Sequence, residues 1–288
     1  MIPYIYWTIP MTPLPRVSTL VALTLLATAI APDLSAQTIR NNAGFTDNTL
    51  LANDDGSTGL VSTGFTYNFF GVIGDKVYAN NNGNITFSGP LVTYSPFSLL
   101  LTNVRIIAPF FADVDTRGVG SAPMQYGMST VNGRAAFGVN WIGVGYFRME
   151  TNKLNRFQLV MIERADVAAG AFDFEFNYGS MQWETGGSSG GVNGLGGRCA
   201  RAGYSNGSNQ DFEISGSAVC GAFINGGSNQ LATGTNINEP GRFLFQVRDG
   251  VVRPPSTTVP EPSSYALMAA GLVALGVVSR RRRSSPTV

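Results

Sequence analysis

The sequence of 288 residues contains no histidine, only two cysteines and few charged residues. Without histidine the chain cannot form a Ser-His-Asp triad or a Cys-His pair, and it lacks a usual ligand of zinc. Charged residues make up 13% of the sequence, and no basic stripe with interleaved aromatic residues runs through the body of the chain. We therefore predict that the protein does not bind nucleic acid.

Long apolar runs occur only near the two ends of the chain. At the N-terminal end, Arg16 precedes an apolar stretch at residues 17–31 that stops at Pro32. This order predicts a secretory signal peptide at residues 1–36, with Met11 as an alternative start. An N-terminal anchor helix is the other interpretation, but the short apolar run and the proline favour cleavage.

The C-terminal end has the order of a sorting signal. Residues 251–262 form a linker rich in Pro, Ser and Thr, and residues 263–283 contain an apolar run and a basic end. As a helix, residues 265–278 reach about 21 Å, which is short of the roughly 30 Å hydrocarbon core of a membrane. The residues that carry the signal are Val259, Pro260, Glu261, Pro262, Arg280, Arg281, Arg282 and Arg283.

This segment resembles the PEP-CTERM sorting signal of Gram-negative bacteria. The resemblance implies that the C-terminal helix enters the inner membrane and that an exosortase-type enzyme then processes the chain. The arginines should stay in the cytoplasm, so the body of the chain is predicted to be exported to the cell surface or the extracellular matrix. A plain C-terminal membrane anchor is the alternative interpretation.

Between the two end segments, residues 37–250 are numerous enough for one large domain, with a core at about residues 100–250. Residues 37–258 carry 14 basic and 16 acidic side chains, which gives a net charge of −2. Glycine is abundant, with 35 residues in the chain, as expected for a β protein with many turns. Only residues 96–104 suggest a short helix.

Apolar and polar residues alternate along several short segments of the domain. Phe172, Phe174 and Phe176 alternate with Asp173 and Glu175, which predicts a half-buried strand. Residues 156–162 are almost all apolar, which predicts a strand covered on both faces. Asn-Gly pairs at residues 132–133 and 82–83 predict hairpins. The pattern predicts an all-β fold, a single antiparallel β-sandwich.

Cys199 and Cys220 both lie in the exported part of the chain, so we predict a disulfide between them. Closing a loop of about twenty residues would stabilise the fold by roughly 3 kcal/mol. Two separate thiols, one of them reactive, are the alternative. Residues 186–197, mostly Gly and Ser, are predicted to form a mobile surface loop.

Four aspartates are candidate ligands for calcium. Asp113 and Asp115 are two positions apart, so on a strand both would project from one face, and Asp54 and Asp55 form a second acidic pair. Residues 113–118 imitate the start of an EF-hand loop, but the fifth position is Arg117 and the twelfth is not Glu, so we predict only an irregular oxygen site. No other cofactor is expected.

Other interpretations of these acidic residues stay open. Asp113 and Asp115 can cap and turn a strand end, Asp54 and Asp55 can form a simple turn, or two carboxylates can act as a glycosidase pair with Glu184 as a third. In the last case the acids would face a substrate cleft.

Three aromatic residues are candidates for stacking on a polysaccharide. Tyr146 and Phe147 follow two glycines in a predicted loop, and Tyr204 lies near Cys199 in the sequence. Core packing explains them equally well.

A series of short motifs runs in order through the domain. They occupy residues 107–118 (Ile-Ala-Pro-Phe-Phe-Ala-Asp-Val-Asp-Thr-Arg-Gly), 140–141, 157–160, 174–178, 183–186, 202–205 and 241–243, after two Asn-rich segments at 53–57 and 80–84. The ordered series resembles the NIDO (nidogen-like) domain over most of residues 43–250. The resemblance implies an extracellular matrix protein that acts in cell-matrix adhesion without catalysis. The EGF-like, mucin or von Willebrand modules that accompany the domain in animals are absent from this sequence.

The function predicted from these observations is adhesion or assembly at the cell surface or in the extracellular matrix. The expected partners are the exosortase-type enzyme and a matrix polysaccharide or surface protein, as in a biofilm or exopolysaccharide. A secreted carbohydrate-active hydrolase that uses acidic residues is the alternative. A third hypothesis is a structural matrix component without a specific ligand.

Overall fold

A computed structural model of the chain describes residues 38–253, which belong to one compact unit. The predicted signal peptide, the linker beyond residue 253 and the predicted sorting helix at residues 263–283 lie outside the described residues. Within residues 38–253, no helix has the length and apolar character needed to cross a membrane.

Fourteen strands make up most of the regular structure in the described part of the chain. They are β1 (Asn48–Thr49), β2 (Val61–Phe69), β3 (Val72–Asn80), β4 (Asn84–Thr86), β5 (Arg105–Phe111), β6 (Val114–Asp115), β7 (Gln125–Val131), β8 (Arg134–Tyr146), β9 (Glu150–Glu163), β10 (Phe172–Tyr178), β11 (Arg201–Asn206), β12 (Asp211–Glu213), β13 (Arg242–Arg248) and β14 (Val251–Arg253). Three single-turn 3-10 helices complete them, at Ala43–Thr46, Leu99–Leu101 and Gly187–Ser189. The predicted helical segment at residues 96–104 therefore contains a single 3-10 turn.

The strands form two antiparallel sheets. The large sheet has eight strands in the order β1-β7-β8-β9-β10-β13-β14, with β6 paired to one end of β8. The small sheet has six strands in the order β12-β11-β5-β4-β3-β2. The predicted all-β sandwich is confirmed. The last strand, Val251–Arg253, pairs with β13 and so extends the sheet three residues into the predicted linker.

The predicted hairpins are both present. Asn132 and Gly133 connect β7 to β8, and both have positive φ angles, 51° and 76°, as a type I′ turn requires. The second Asn-Gly pair connects β3 to β4, where Gly83 has a φ of 74°. A Cβ atom at Gly83 would lie 1.8 Å from the carbonyl oxygen of Phe110, so only glycine fits there.

Aromatic side chains fill the space between the two sheets. Phe174 of β10 stacks on Phe245 of β13 with ring centroids 4.8 Å apart, and Trp141 of β8 stacks on Phe157 of β9 at 5.0 Å. The hydroxyl of Tyr178, at the end of β10, donates a hydrogen bond to the carbonyl oxygen of Pro109 in the small sheet. The indole N–H of Trp141 makes a second such bond, to the carbonyl oxygen of Asn81. Apolar burial and interior hydrogen bonds therefore hold the sheets together.

The sequence predicted the burial of β9 correctly but not that of β10. Strand β9 is buried on both faces from Phe157 to Ile162, as predicted. Strand β10 was predicted to be half-buried, and this is wrong, because all seven of its residues are buried. Its acidic face is covered by arginines, with Asp173 contacting Arg164 and Arg248.

A segment near the start of the domain, residues 38–46, covers the outer face of the large sheet. Phe45 is fully buried there, against Gly138 of β8. Three amide side chains, Asn140, Gln158 and Asn177, form hydrogen bonds with one another across β8, β9 and β10. Gln158 also exchanges hydrogen bonds with the backbone of Arg40, and Asn140 donates one to the carbonyl oxygen of Phe45. This amide row fastens the segment to the sheet.

Candidate functional site

Three of the four predicted calcium ligands lie together at one end of the sandwich. Asp54 and Asp55 belong to the loop that follows β1, and Asp113 lies in the break between β5 and β6. One carboxylate oxygen from each of the three residues lies within 4.8 Å of the others. We call these three residues the acidic cluster.

The loop that carries Asp54 and Asp55 is shaped by its own first residue. The side-chain oxygen of Asn53 accepts a hydrogen bond of 2.6 Å from the backbone N–H of Gly56, as in an Asx turn. The backbone of Asn53 exchanges hydrogen bonds with Thr116, just after β6. The loop is thus attached directly to the segment that carries Asp113.

Two buried asparagines in the turn between β3 and β4 connect this loop to β6. The Nδ2 of Asn81 donates to the carbonyl oxygens of Asp54 and Val114. The Nδ2 of Asn82 donates to Asp55 Oδ1 at 2.8 Å, and its Oδ1 accepts from the Val114 N–H at 2.9 Å. The sequence analysis did not predict that Asn81 and Asn82 contact the acidic residues, although it noted the Asn-rich segment at residues 80–84.

Asp115, the fourth predicted ligand, is engaged elsewhere. Its carboxylate accepts two hydrogen bonds from the guanidinium of Arg117, at 2.9 and 2.7 Å, and two more from the backbone N–H groups of Arg117 and Met149. Burial alone would raise the pKa of Asp115, but the bonds from Arg117 and Met149 hold that pKa below its usual value. The structure therefore separates Asp115 from the acidic cluster.

Asp113 has the opposite environment. Its exposed fraction is 1%, and neither carboxylate oxygen has a hydrogen-bond partner among residues 38–253. Burial raises the pKa of Asp113 to about 8, and the neighbouring carboxylates add to the effect. Burial also raises the pKa of Asp54 to about 6. Arg117 contacts Asp54 Oδ2 at 3.0 Å and is the nearest countercharge.

The arrangement offers little to a glycosidase. Asp113, Asp115 and Glu184 are at most 1% exposed. Glu184 accepts hydrogen bonds from the backbone N–H groups of Gly221 and Phe223, at 2.7 and 2.5 Å. Burial raises the pKa of Glu184, and these bonds oppose the rise. Glu184 therefore positions the chain after Cys220.

The predicted disulfide is confirmed. Cys199 and Cys220 are bonded, with their Cα atoms 5.3 Å apart. The disulfide joins the segment just before β11 to the loop whose backbone N–H groups bond to Glu184. The Gly- and Ser-rich segment at residues 186–197, predicted to be a mobile loop, makes several backbone hydrogen bonds, including those from the N–H groups of Glu184 and Thr185 to the carbonyl oxygen of Gly194.

Two of the three predicted stacking aromatics belong to the core. Tyr146 is buried at the end of β8, and Tyr204 packs among core rings, so core packing explains them. Phe147 is half-buried and lines a pocket beside Arg148. The sequence analysis did not name the aromatic residue of a second, open groove. Phe212 on the edge strand β12 is 40% exposed. It lines a groove of about 480 Å³ together with polar residues, among them Asn229, Gln230 and Thr233.

Comparison with known protein families identifies the domain. A model of the nidogen-like domain family matches residues 75–130 and 122–249, which is more than half of the chain. The chain belongs to this family. A model of the PEP-CTERM protein-sorting motif matches residues 258–283. Both resemblances noted in the sequence are thus confirmed, and the predicted sorting residues, 259–262 and 280–283, fall inside the second match but outside the described structure.

Relatives of the nidogen-like domain occur in animals. Alpha-tectorin of Mus musculus is 32% identical over 218 residues, which covers 67% of this chain and 10% of that protein. Alpha-tectorin of Homo sapiens is 31% identical with the same coverage. Nidogen of Drosophila melanogaster is 27% identical over 222 residues, which covers 69% of this chain and 16% of that protein. The chain thus spans a tenth to a sixth of the length of these relatives, and no solved structure matches it.

Proposed function

We propose that this protein is an exported, non-catalytic component of the cell surface or extracellular matrix of a Gram-negative bacterium, where it acts in adhesion or assembly. The observation that carries the proposal is the presence of a nidogen-like domain and a PEP-CTERM sorting motif in one chain. The domain supplies the adhesive module that the family resemblance implies, and the motif supplies its route to the surface. The disulfide suits an oxidising compartment outside the cytoplasm.

The proposed route has two stages. The C-terminal helix first holds the chain in the inner membrane with its four arginines in the cytoplasm. An exosortase-type enzyme then cuts near the Pro-Glu-Pro motif and releases the domain to the surface or matrix.

The burial of the carboxylates favours adhesion over hydrolysis. A glycosidase needs two carboxyl groups that reach the scissile bond from an open cleft. Asp113, Asp115 and Glu184 are all buried, and the last two are saturated with hydrogen bonds from the protein. The groove beside Phe212 contains no acidic residue among its lining side chains in the described structure.

That groove is the surface we assign to a matrix polysaccharide. An exposed aromatic face beside amide and hydroxyl groups is suited to a sugar, because the ring packs on C–H groups while the polar side chains bond to hydroxyls. Phe212 rests on Tyr204 and Phe245, which hold its ring in place.

The sorting step is tested by replacing the motif. In a Gram-negative host that carries an exosortase, the full chain should be shortened and reach the surface. Changing Pro260, Glu261 and Pro262 together to alanine should leave an uncut form in the inner membrane, measured by fractionation and immunoblotting. Ser256→Ala, just before the motif, is the matched control and should be processed normally. Recovery of the unaltered chain from the cytosol, uncut and with reduced cysteines, would contradict the proposal.

The adhesive step is tested with the full chain on an array of bacterial exopolysaccharides. Phe212→Ala should weaken binding about fivefold, from the loss of roughly 1 kcal/mol of aromatic contact. Tyr94→Ala is the matched control, because Tyr94 is 41% exposed and lies outside the groove. Melting temperatures of both variants show whether the domain is intact. Equal binding by the two variants would remove the groove from the proposal, and binding to no glycan would favour a structural component without a specific ligand.

A further inference from the structure

The unpartnered carboxylate of Asp113 lacks an explanation within the chain. Within the described part of the chain, both of its oxygens are buried and make no hydrogen bond, and the same is true of Asp54 Oδ1 and of the side-chain oxygen of Asn81. Buried polar atoms in native proteins almost always have a partner. Four buried, unpartnered oxygens on three adjacent residues therefore indicate a ligand from outside the chain.

The charges at this position specify a cation. Asp54, Asp55, Asp113 and Asp115 lie around a single guanidinium, that of Arg117. Arg117 contacts Asp54 Oδ2 and Asp115, and Asp113 has no ion pair with any described residue. A second positive charge is needed to compensate the remaining carboxylates if they are ionised.

The spacing and the type of the oxygens fit calcium. Oxygens bound to one Ca²⁺ lie about 2.3–2.6 Å from the ion, so two of them on opposite sides are separated by about 5 Å. The corresponding limit around Mg²⁺, at about 2.0–2.1 Å, is roughly 4.2 Å. In the acidic cluster the ligand oxygens lie within 4.8 Å of one another, which is inside the calcium limit. Calcium also accepts an irregular shell of carboxylate and carbonyl oxygens, whereas Mg²⁺ demands a near-ideal octahedron.

The acidic cluster is accessible to an ion from solvent, and hydrogen bonds hold its residues in place. Asp54 and Asp55 are partly exposed, so an ion can reach Asp113 past them. Asn82 holds Asp55 by one oxygen and leaves the other for a ligand. Hydrogen bonds from Asn53, Asn81 and Thr116 fix the loop that carries Asp54 and Asp55, so the carboxylates do not depend on an ion for their position.

We propose that Asp54, Asp55 and Asp113 bind one Ca²⁺ ion, with the buried Asp113 as the central ligand. Water and carbonyl oxygens complete the shell, as is common for calcium. The ion connects the loop after β1 to the break between β5 and β6 and, through Asn82, to the turn between β3 and β4. Its role is structural, because it fastens three segments that are distant in the sequence.

The test is a calcium titration of the purified full chain after treatment with a chelator. Dissociation constants of extracellular calcium modules are about 10⁻⁴ to 10⁻³ M, so calorimetry should detect one ion per chain in the millimolar range. Saturating Ca²⁺ should raise the melting temperature by roughly 5–10 °C, and Mg²⁺ at the same concentration by less.

Two variants and one control locate the ion. Asp113→Asn should weaken binding at least tenfold and remove the melting shift. Asp55→Asn, at a partly exposed position, should weaken binding as well and replaces Asp113→Asn if that variant does not fold. Asp75→Asn is the matched control, because Asp75 is exposed on β3 and outside the cluster, and it should bind like the unaltered chain.

Two results would overturn the proposal. One is a melting temperature and calorimetric signal that Ca²⁺ leaves unchanged in the unaltered chain. The other is calcium binding that persists at full strength in Asp113→Asn or, if that variant does not fold, in Asp55→Asn.

Discussion

Buried carboxylates occur in two regions of this domain, and the two regions differ in the partners that these carboxylates have. On the outer face of the large sheet, Asp173 and Glu175 are each in contact with arginines at 2.6–2.7 Å. In the acidic cluster, Asp113 is also buried, and among residues 38–253 it forms no ion pair or hydrogen bond through its carboxylate. All three residues are buried acids, so only the presence or absence of an arginine partner distinguishes a structural ion pair from a candidate metal ligand.

The difference teaches how to recognise a binding residue. A buried acid costs little when a neighbour compensates its charge, and removing that neighbour is costly. A buried acid without a neighbour has no such interaction to lose. Substitution should therefore cost much stability where a buried carboxylate has protein partners and little where it has none. Three variants of the full chain, studied with a chelator present, test this.

The largest effect is expected for Arg40→Leu. Arg40 makes two hydrogen bonds to Glu175, at 2.6 and 2.8 Å, so its removal leaves a buried carboxylate with weaker partners. The free energy of unfolding should fall by about 3 kcal/mol. Chemical denaturation measures this value.

Two comparisons sharpen the Arg40 result. Arg134→Leu breaks an exposed pair with Asp166 and should cost less than about 1 kcal/mol. The double variant Arg40→Leu, Glu175→Leu should recover much of the lost stability, because no uncompensated charge is left. Similar losses for Arg40→Leu and Arg134→Leu would show that the outer-face pairs are unimportant.

An intermediate effect is expected for Glu184→Gln. Glu184 binds two backbone N–H groups, those of Gly221 and Phe223, whereas glutamine has only one acceptor oxygen. One buried donor loses its partner, which should cost about 2 kcal/mol in denaturation experiments. Glu150→Gln, at an exposed position, is the matched control and should be neutral. A neutral Glu184→Gln would mean that the loop after Cys220 is held by the disulfide alone.

The smallest effect is expected for Asp113→Asn. In the absence of a cation this carboxylate makes no hydrogen bond, so the free energy of unfolding should change by less than about 1 kcal/mol. The same substitution two residues away, Asp115→Asn, should cost about 2–3 kcal/mol because it weakens four hydrogen bonds. Equal losses at the two positions, measured by denaturation in chelator, would erase the distinction between buried carboxylates with and without protein partners.

The sequence predicted the fold more completely than the site. Period-two alternation identified β10, and Asn-Gly pairs identified two hairpins, because these signals lie within a few residues of each other. The burial of the acidic face of β10 was missed, because it depends on Arg40, which lies 135 positions from Glu175. Long-range partners of this kind have no local pattern.

The acidic residues show the same limit. Asp54, Asp55 and Asp113 were named from composition and spacing, but the separation of Asp115 was not foreseen. Asp113 and Asp115 were expected on one face of a continuous strand, whereas the strand is interrupted between Phe111 and Val114. Arg117 pairs with Asp115 only two positions before it, a local contact that the sequence analysis did not anticipate.

The fastening of residues 38–46 across the large sheet affects when the domain can fold. Thr38 forms hydrogen bonds with the backbone of Pro240 and with Arg242, about two hundred positions later in the chain. In the proposed export the N-terminal residues cross the membrane before residues 240–242, so this contact closes only after the domain has been translocated. Contacts between residues so far apart in the sequence form slowly. The chain would therefore remain unfolded while it passes through the membrane.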